Sequence, residues 1–145
     1  MSTRHAETVA GRLPLLLAAC ALGATGLAVA PAAAADDGMH HVRYTMTTET
    51  PFLADIYYRP ADPPDWGAYS HDPYLYSPKV EAQLGPGQVW TMDTMLADPD
   101  QWAMVVGSSG LHPVDPNFHC TLEVDGTVVK TDEGPKGALC SIRNW

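Results

Sequence analysis

The stretch Phe118-His119-Cys120-Thr121-Leu122-Glu123-Val124-Asp125-Gly126-Thr127-Val128-Val129-Lys130-Thr131 decides the fold. Asp125-Gly126 between two β-rich runs reads as a two-residue hairpin, because a type I′ turn needs positive φ at both central positions. With that turn, Val124 is expected to face Thr127, Leu122 to face Val129, and Cys120 to face Thr131. Cys120, Leu122, Val124 and Val129 then share the face expected to be buried, while Thr121, Glu123 and Lys130 point to water. A second cysteine follows in Ala138-Leu139-Cys140-Ser141-Ile142-Arg143, with Ile142 expected to face the core beside Cys140. A Cys120–Cys140 disulfide is expected, two separate buried thiols being the alternative. A bridge closing a loop of that size stabilises a fold by about 3 kcal/mol in the chain-entropy model.

The disulfide is expected because the chain starts like an exported one. Arg4 and Arg12 stand before a charge-free apolar run over 13–35, which ends in Pro31-Ala32-Ala33-Ala34-Ala35 and then Asp36-Asp37. Small residues before a polar start are what signal peptidase cuts, and cleavage after Ala35 or just before it is the first expectation. Two other outcomes compete. Leu17-Ala18-Ala19-Cys20 has the form of a lipoprotein box, which makes Cys20 a candidate lipidation site. The run is also long enough to stay as a membrane anchor. The chain of 145 residues thus divides into a signal or anchor segment over 1–35 and one extracytoplasmic domain over 36–145.

Residues 1–35 hold Arg4, Arg12 and Glu7. The rest therefore carries 6 basic and 16 acidic side chains against 8 and 17 in the whole chain, a formal net charge of −10 against −9. That balance argues against nucleic acid and anionic membrane surfaces as partners. Membrane contact is expected only through the N-terminal segment, uncleaved or lipidated.

Val42, Tyr44 and Met46 alternate with Arg43, Thr45 and Thr47, the pattern of a half-buried strand. Leu53-Ala54-Asp55-Ile56-Tyr57-Tyr58 reads as a second strand between Pro51 and Pro60. Lys79–Leu84 alternates again and meets a Gly85-Pro86-Gly87 turn, after which 88–95 reads as a strand of undecided core side. Asp98-Pro99-Asp100 reads as a turn. The continuous apolar run Trp102-Ala103-Met104-Val105-Val106-Gly107 is expected to be the most buried strand. About eight short strands and no helical period predict an all-β domain, an Ig-like two-sheet β-sandwich.

Between Pro60 and Pro78 the prolines exclude a central strand or a helix on this reading. Trp66, Tyr69, Tyr74 and Tyr76 are nevertheless too apolar for a plain linker. Either an ordered loop presents these rings to a partner, or the loop folds them back on the sandwich.

Chemistry is scarce. Gly107-Ser108-Ser109-Gly110 has Leu111 where a nucleophile elbow needs glycine, and no base and orienter accompany it. The histidines at 40, 41, 71, 112 and 119 match no zinc spacing, and His40 and His41 point to opposite strand faces. No cofactor, metal or catalytic activity is expected.

The same residues carry a resemblance. Cys120-Thr121-Leu122-Glu123-Val124-Asp125-Gly126-Thr127-Val128 followed by Cys140 is similar to the mark of the MmpS family of small mycobacterial membrane proteins. Ala103–Gly107, Tyr44-Thr45-Met46, Ala54–Tyr58 and Trp90 extend the likeness over about 42–58 and 80–143, leaving 60–78 unmatched. The resemblance implies an extracytoplasmic β-sandwich behind one membrane helix. It also implies an accessory role beside a proton-driven exporter of the resistance-nodulation-division (RND) type that moves lipids or siderophores. An RND-type transporter or other envelope protein and a hydrophobic ligand are the partners it suggests. The residues by themselves suggest instead a freely secreted module docking a protein or glycan through 60–78.

Overall fold

A computed structural model describes residues 38–144. The expected signal or anchor segment over 1–35, the expected cleavage position at Ala35 and the lipidation candidate Cys20 lie outside the described residues.

Among the described residues, eight strands and two short helices follow one another. They are β1 (His40–Thr48), β2 (Phe52–Tyr58), α1 (Trp66–His71), β3 (Lys79–Leu84), β4 (Trp90–Leu96), α2 (Pro99–Trp102), β5 (Met104–Ser108), β6 (Phe118–Val124), β7 (Thr127–Gly134) and β8 (Gly137–Ser141). The first sheet runs β4-β1-β6-β7 and the second β3-β2-β5-β8, with every pair antiparallel. The all-β two-sheet sandwich expected from the sequence is the fold.

Its core follows from period-two alternation. Val42, Tyr44 and Met46 of β1 and Cys120 and Leu122 of β6 face Ala54 and Ile56 of β2, Val105 of β5 and Cys140 of β8, all buried. Leu96 is buried, and Trp90 and Met92 pack against the core, which settles the inward side of β4. Ile142 also packs against it, beside the disulfide. Cys120 and Cys140 are bonded, with Cα atoms 6.0 Å apart, so the bridge links β6 of one sheet to β8 of the other. Gly107 of β5 packs against Met46 of β1 and Phe118 of β6. A Cβ there would lie 2.6 Å from Met46 Sδ and 2.9 Å from Phe118 Cδ1.

The hairpin turn is as expected, with φ of 51° at Asp125 and 79° at Gly126. Its register is not. Val124 faces Thr127, but Glu123 faces Val128 and Leu122 faces Lys130, so a bulge at Val129 shifts the pairing and sets Cys120 opposite Asp132. Val129 is therefore outside the buried face, 44% exposed. The physical reason is position: β7 is the rim strand of its sheet, and none of its side chains is buried. A bulge there costs no core contact.

Two further expectations are corrected. The 60–78 segment contains a helix, α1, because the prolines at 60, 63, 64 and 73 leave 66–71 free and Asp65 caps it, accepting from the Ala68 N–H at 2.8 Å. Asp98-Pro99 starts a helical turn with Asp98 as cap and Pro99 in the first position, so Trp102 closes α2 and the strand β5 begins at Met104.

Candidate functional site

Met104 and Val106 alternate with core-facing Val105, and Tyr57 stands opposite Val106, so these three side chains project from the outer face of the second sheet. Met104 is buried all the same. What covers this end of the sheet is the 66–77 segment, which makes a third layer.

Arg59 holds that layer. It follows the last residue of β2 and has no solvent exposure. Its Nε donates to the Trp102 carbonyl at 3.2 Å and its Nη1 to the Tyr76 carbonyl at 2.8 Å. The guanidinium lies 4.5 Å from the centroid of the Tyr69 ring and 5.8 Å from that of Trp102. Cation–π contact and two carbonyl acceptors repay part of the cost of burying the charge. The Tyr44 hydroxyl donates to the Arg59 carbonyl at 2.9 Å, and burial pushes the Tyr44 phenol well above its ordinary range. Asp62 ties down the start of the segment by accepting from the N–H groups of Ala97 at 2.7 Å and Asp98 at 3.0 Å.

The four rings singled out in the sequence separate into two groups. Trp66 and Tyr69 are turned inward. Trp66 stacks on Trp102 with centroids 6.0 Å apart, touches Tyr69 at 5.2 Å, and carries the Arg143 guanidinium 4.0 Å above its ring. Trp66 is thus engaged by an aromatic ring and by a cation, although it is 44% exposed. Tyr76 is half-buried, its carbonyl taken by Arg59. Tyr74 is the ring held out, 75% exposed, with Leu75 beside it at 66%. Leu75 was not singled out from the sequence.

Between this segment and the sheet runs a groove of about 400 Å³. Tyr69, Pro73 and Tyr74 form one wall, and Tyr57, Met104 and Val106 the other. Ser77 lines it too. The Ser77 Oγ is buried and has no hydrogen-bond partner. A second depression of about 470 Å³ is polar, lined by Trp66, Asp98, Asp100, Gln101 and Arg143.

Arg59 and Ser77 escaped the sequence reading. Arg59 had one usable signal: the 60–78 segment has four aromatic rings and no Lys or Arg, so the nearest guanidinium is its natural stacking partner.

The first sheet is lined with ion pairs. Arg43 grips Asp93 through Nε at 2.8 Å and Nη2 at 3.2 Å, and His41 lies 2.9 Å from the same carboxylate. The Arg43 bond, helped by His41, holds the Asp93 carboxyl below its ordinary range. His40 contacts Asp125 at 2.7 Å, while His41 N–H donates to Asp125 Oδ1 at 2.9 Å; both hold the Asp125 carboxyl low. His119 does the same for Glu49 at 3.0 Å. Among the described residues no group of three or more His, Cys, Asp or Glu side chains is placed to hold a metal ion.

The chain is 42% identical over 124 residues to the uncharacterized protein Rv2576c of Mycobacterium tuberculosis strain H37Rv, covering 85% of this chain and 80% of that one. The uncharacterized protein Mb2606c of Mycobacterium bovis matches to the same extent. A family model described as the Rv2576c beta-sandwich domain matches residues 44–140, a stretch that includes both bonded cysteines, Arg59 and the whole 60–78 segment. The chain belongs to the Rv2576c β-sandwich domain family.

Proposed function

We propose that this protein is a non-enzymatic, exported module of the cell envelope that docks a protein or glycan through its 60–78 segment. One observation carries the reading: Tyr74 and Leu75 are exposed at the tip of a segment that Arg59, Asp62 and Trp102 hold in place. Large apolar side chains on a fixed scaffold are the usual form of a binding epitope. Export is supported by the leader-like start and by a disulfide, which persists in oxidising compartments.

The test uses protein purified from an actinobacterial host and that host's envelope fraction. A Tyr74→Ala/Leu75→Ser variant should bind the fraction at least tenfold more weakly with its melting temperature unchanged. Equal binding by the variant would remove the segment's role.

A second reading rests on the MmpS resemblance. The disulfide and the Asp125-Gly126 turn join that motif into one unit, with β6 leading from Cys120 to the turn. On this reading the protein is an accessory to an RND-type exporter of lipids or siderophores. Gene deletion should then change an exported lipid or siderophore, and an unaltered profile counts against it.

A further inference from the structure

We propose that the groove between the 66–77 segment and the outer face of the second sheet binds a proline-rich, extended peptide segment of a partner, flanked by basic residues. This rests on the binding-module reading and names its ligand class.

The groove walls specify the middle of the ligand. Phenol rings from Tyr57, Tyr69 and Tyr74 stand with Pro73, Met104 and Val106, and no charged side chain lines the groove. The bound part is therefore uncharged and largely apolar.

A polyproline II strand suits these walls. Its rings lie flat on aromatic side chains, and its stiffness lowers the entropy lost on binding. A single acyl chain brings neither a flat ring for the phenol faces nor a positive charge for the rim. A sugar brings many hydroxyls, and an apolar wall would strand them at a cost for each.

Charge defines the flanks. The chain carries a net −9, and Asp72 stands exposed beside Pro73. Lys79, which is paired to Tyr57 in the sheet, is engaged by Asp55 at 3.0 Å and Glu81 at 3.3 Å. Basic residues on the peptide suit this rim.

The experiment titrates the isotope-labelled full protein with a synthetic acetylated decaproline ending in two arginines. Amide shifts should change at Tyr57, Tyr69, Tyr74 and Ser77 and weaken with added salt. Tyr74→Ala removes an exposed wall of the groove and should loosen the peptide about fivefold without lowering stability. Groove shifts absent at millimolar peptide, or unchanged affinity in Tyr74→Ala, would overturn the assignment. So would groove shifts produced by cellohexaose or by laurate and not by the peptide. If the peptide fails while envelope binding still depends on Tyr74 and Leu75, the module stands and its ligand class is another.

Discussion

Arg59 Nη1 donates to the Tyr76 carbonyl at 2.8 Å, across 17 residues of chain and from a position with no solvent exposure. The bond fastens the end of an irregular segment to the end of a core strand. Arg59→Met should keep the aliphatic packing and lose both carbonyl bonds and the cation over Tyr69. Bonds to charged groups contribute about 1.5–3 kcal/mol each, and removal of a buried charge offsets part of their loss, so the variant should lose about 2–4 kcal/mol in urea unfolding. Its near-UV circular dichroism should flatten as Tyr69, Trp66 and Trp102 lose their fixed geometry. Unchanged stability with an unchanged aromatic spectrum would show that the segment is held by something else.

Trp66→Ala is expected to cost about 1–3 kcal/mol. The ring is stacked on Trp102 and sits beneath Arg143, and aromatic pairs add to the burial energy. Thermal melts of this variant and of Tyr74→Ala separate the two roles: the first should fall, and the second should stay within about 0.5 kcal/mol of the parent.

Loss of the Cys120–Cys140 bond removes the covalent link between the sheets. Cys120→Ala/Cys140→Ala should destabilise the domain by about 2–5 kcal/mol. Equal melting of the oxidised and reduced parent protein would contradict this.

Gly107→Ala adds a methyl group where Met46 and Phe118 already meet the backbone. Overpacking of this kind costs about 1–3 kcal/mol. The glycine that resembles part of a nucleophile elbow in the sequence therefore has a packing role, measurable as a lower urea midpoint.

Asp93 and Asp125 titrate lower in the folded protein than in the unfolded chain. Their contribution is fully present above the unfolded aspartate value of about 3.9 and is lost as pH falls through the lower folded values. Urea midpoints should therefore drop below about pH 4. In Asp93→Asn/Asp125→Asn that acid limb should be shallower. Parallel acid limbs in the two proteins would remove these pairs as its cause. Both carboxylates are exposed, so added salt should shrink the difference.

The alternation Val42-Tyr44-Met46 and the Asp125-Gly126 turn could be read directly, since each depends on neighbours within a few positions. The Cys120–Cys140 pair was legible because the cysteines beyond residue 35 number two. Val129 was misplaced because Val128 and Val129 look like core residues, and a single strand does not reveal that it will stand at a rim. The helix at 66–71 has six residues, too few for periodicity, and it lies on Trp102, 36 positions beyond its first residue. Arg59 was silent for a similar reason, as its acceptors stand 17 and 43 positions away. The groove joins β2, β5 and the segment, so no single stretch of sequence contains it.

Cys140 lies on β8, the last of the described strands, which stands at the rim of its sheet beside β5. The covalent closure of the domain must therefore wait until β1 to β7 have been delivered. Until then β6 holds a free thiol, and the second sheet lacks its fourth strand. Strands that pair over such distances also assemble slowly. A chain threaded from its N-terminus through a narrow passage would remain open and pullable along most of its length. Locking would come in one late event, when β8 emerges and meets an oxidant.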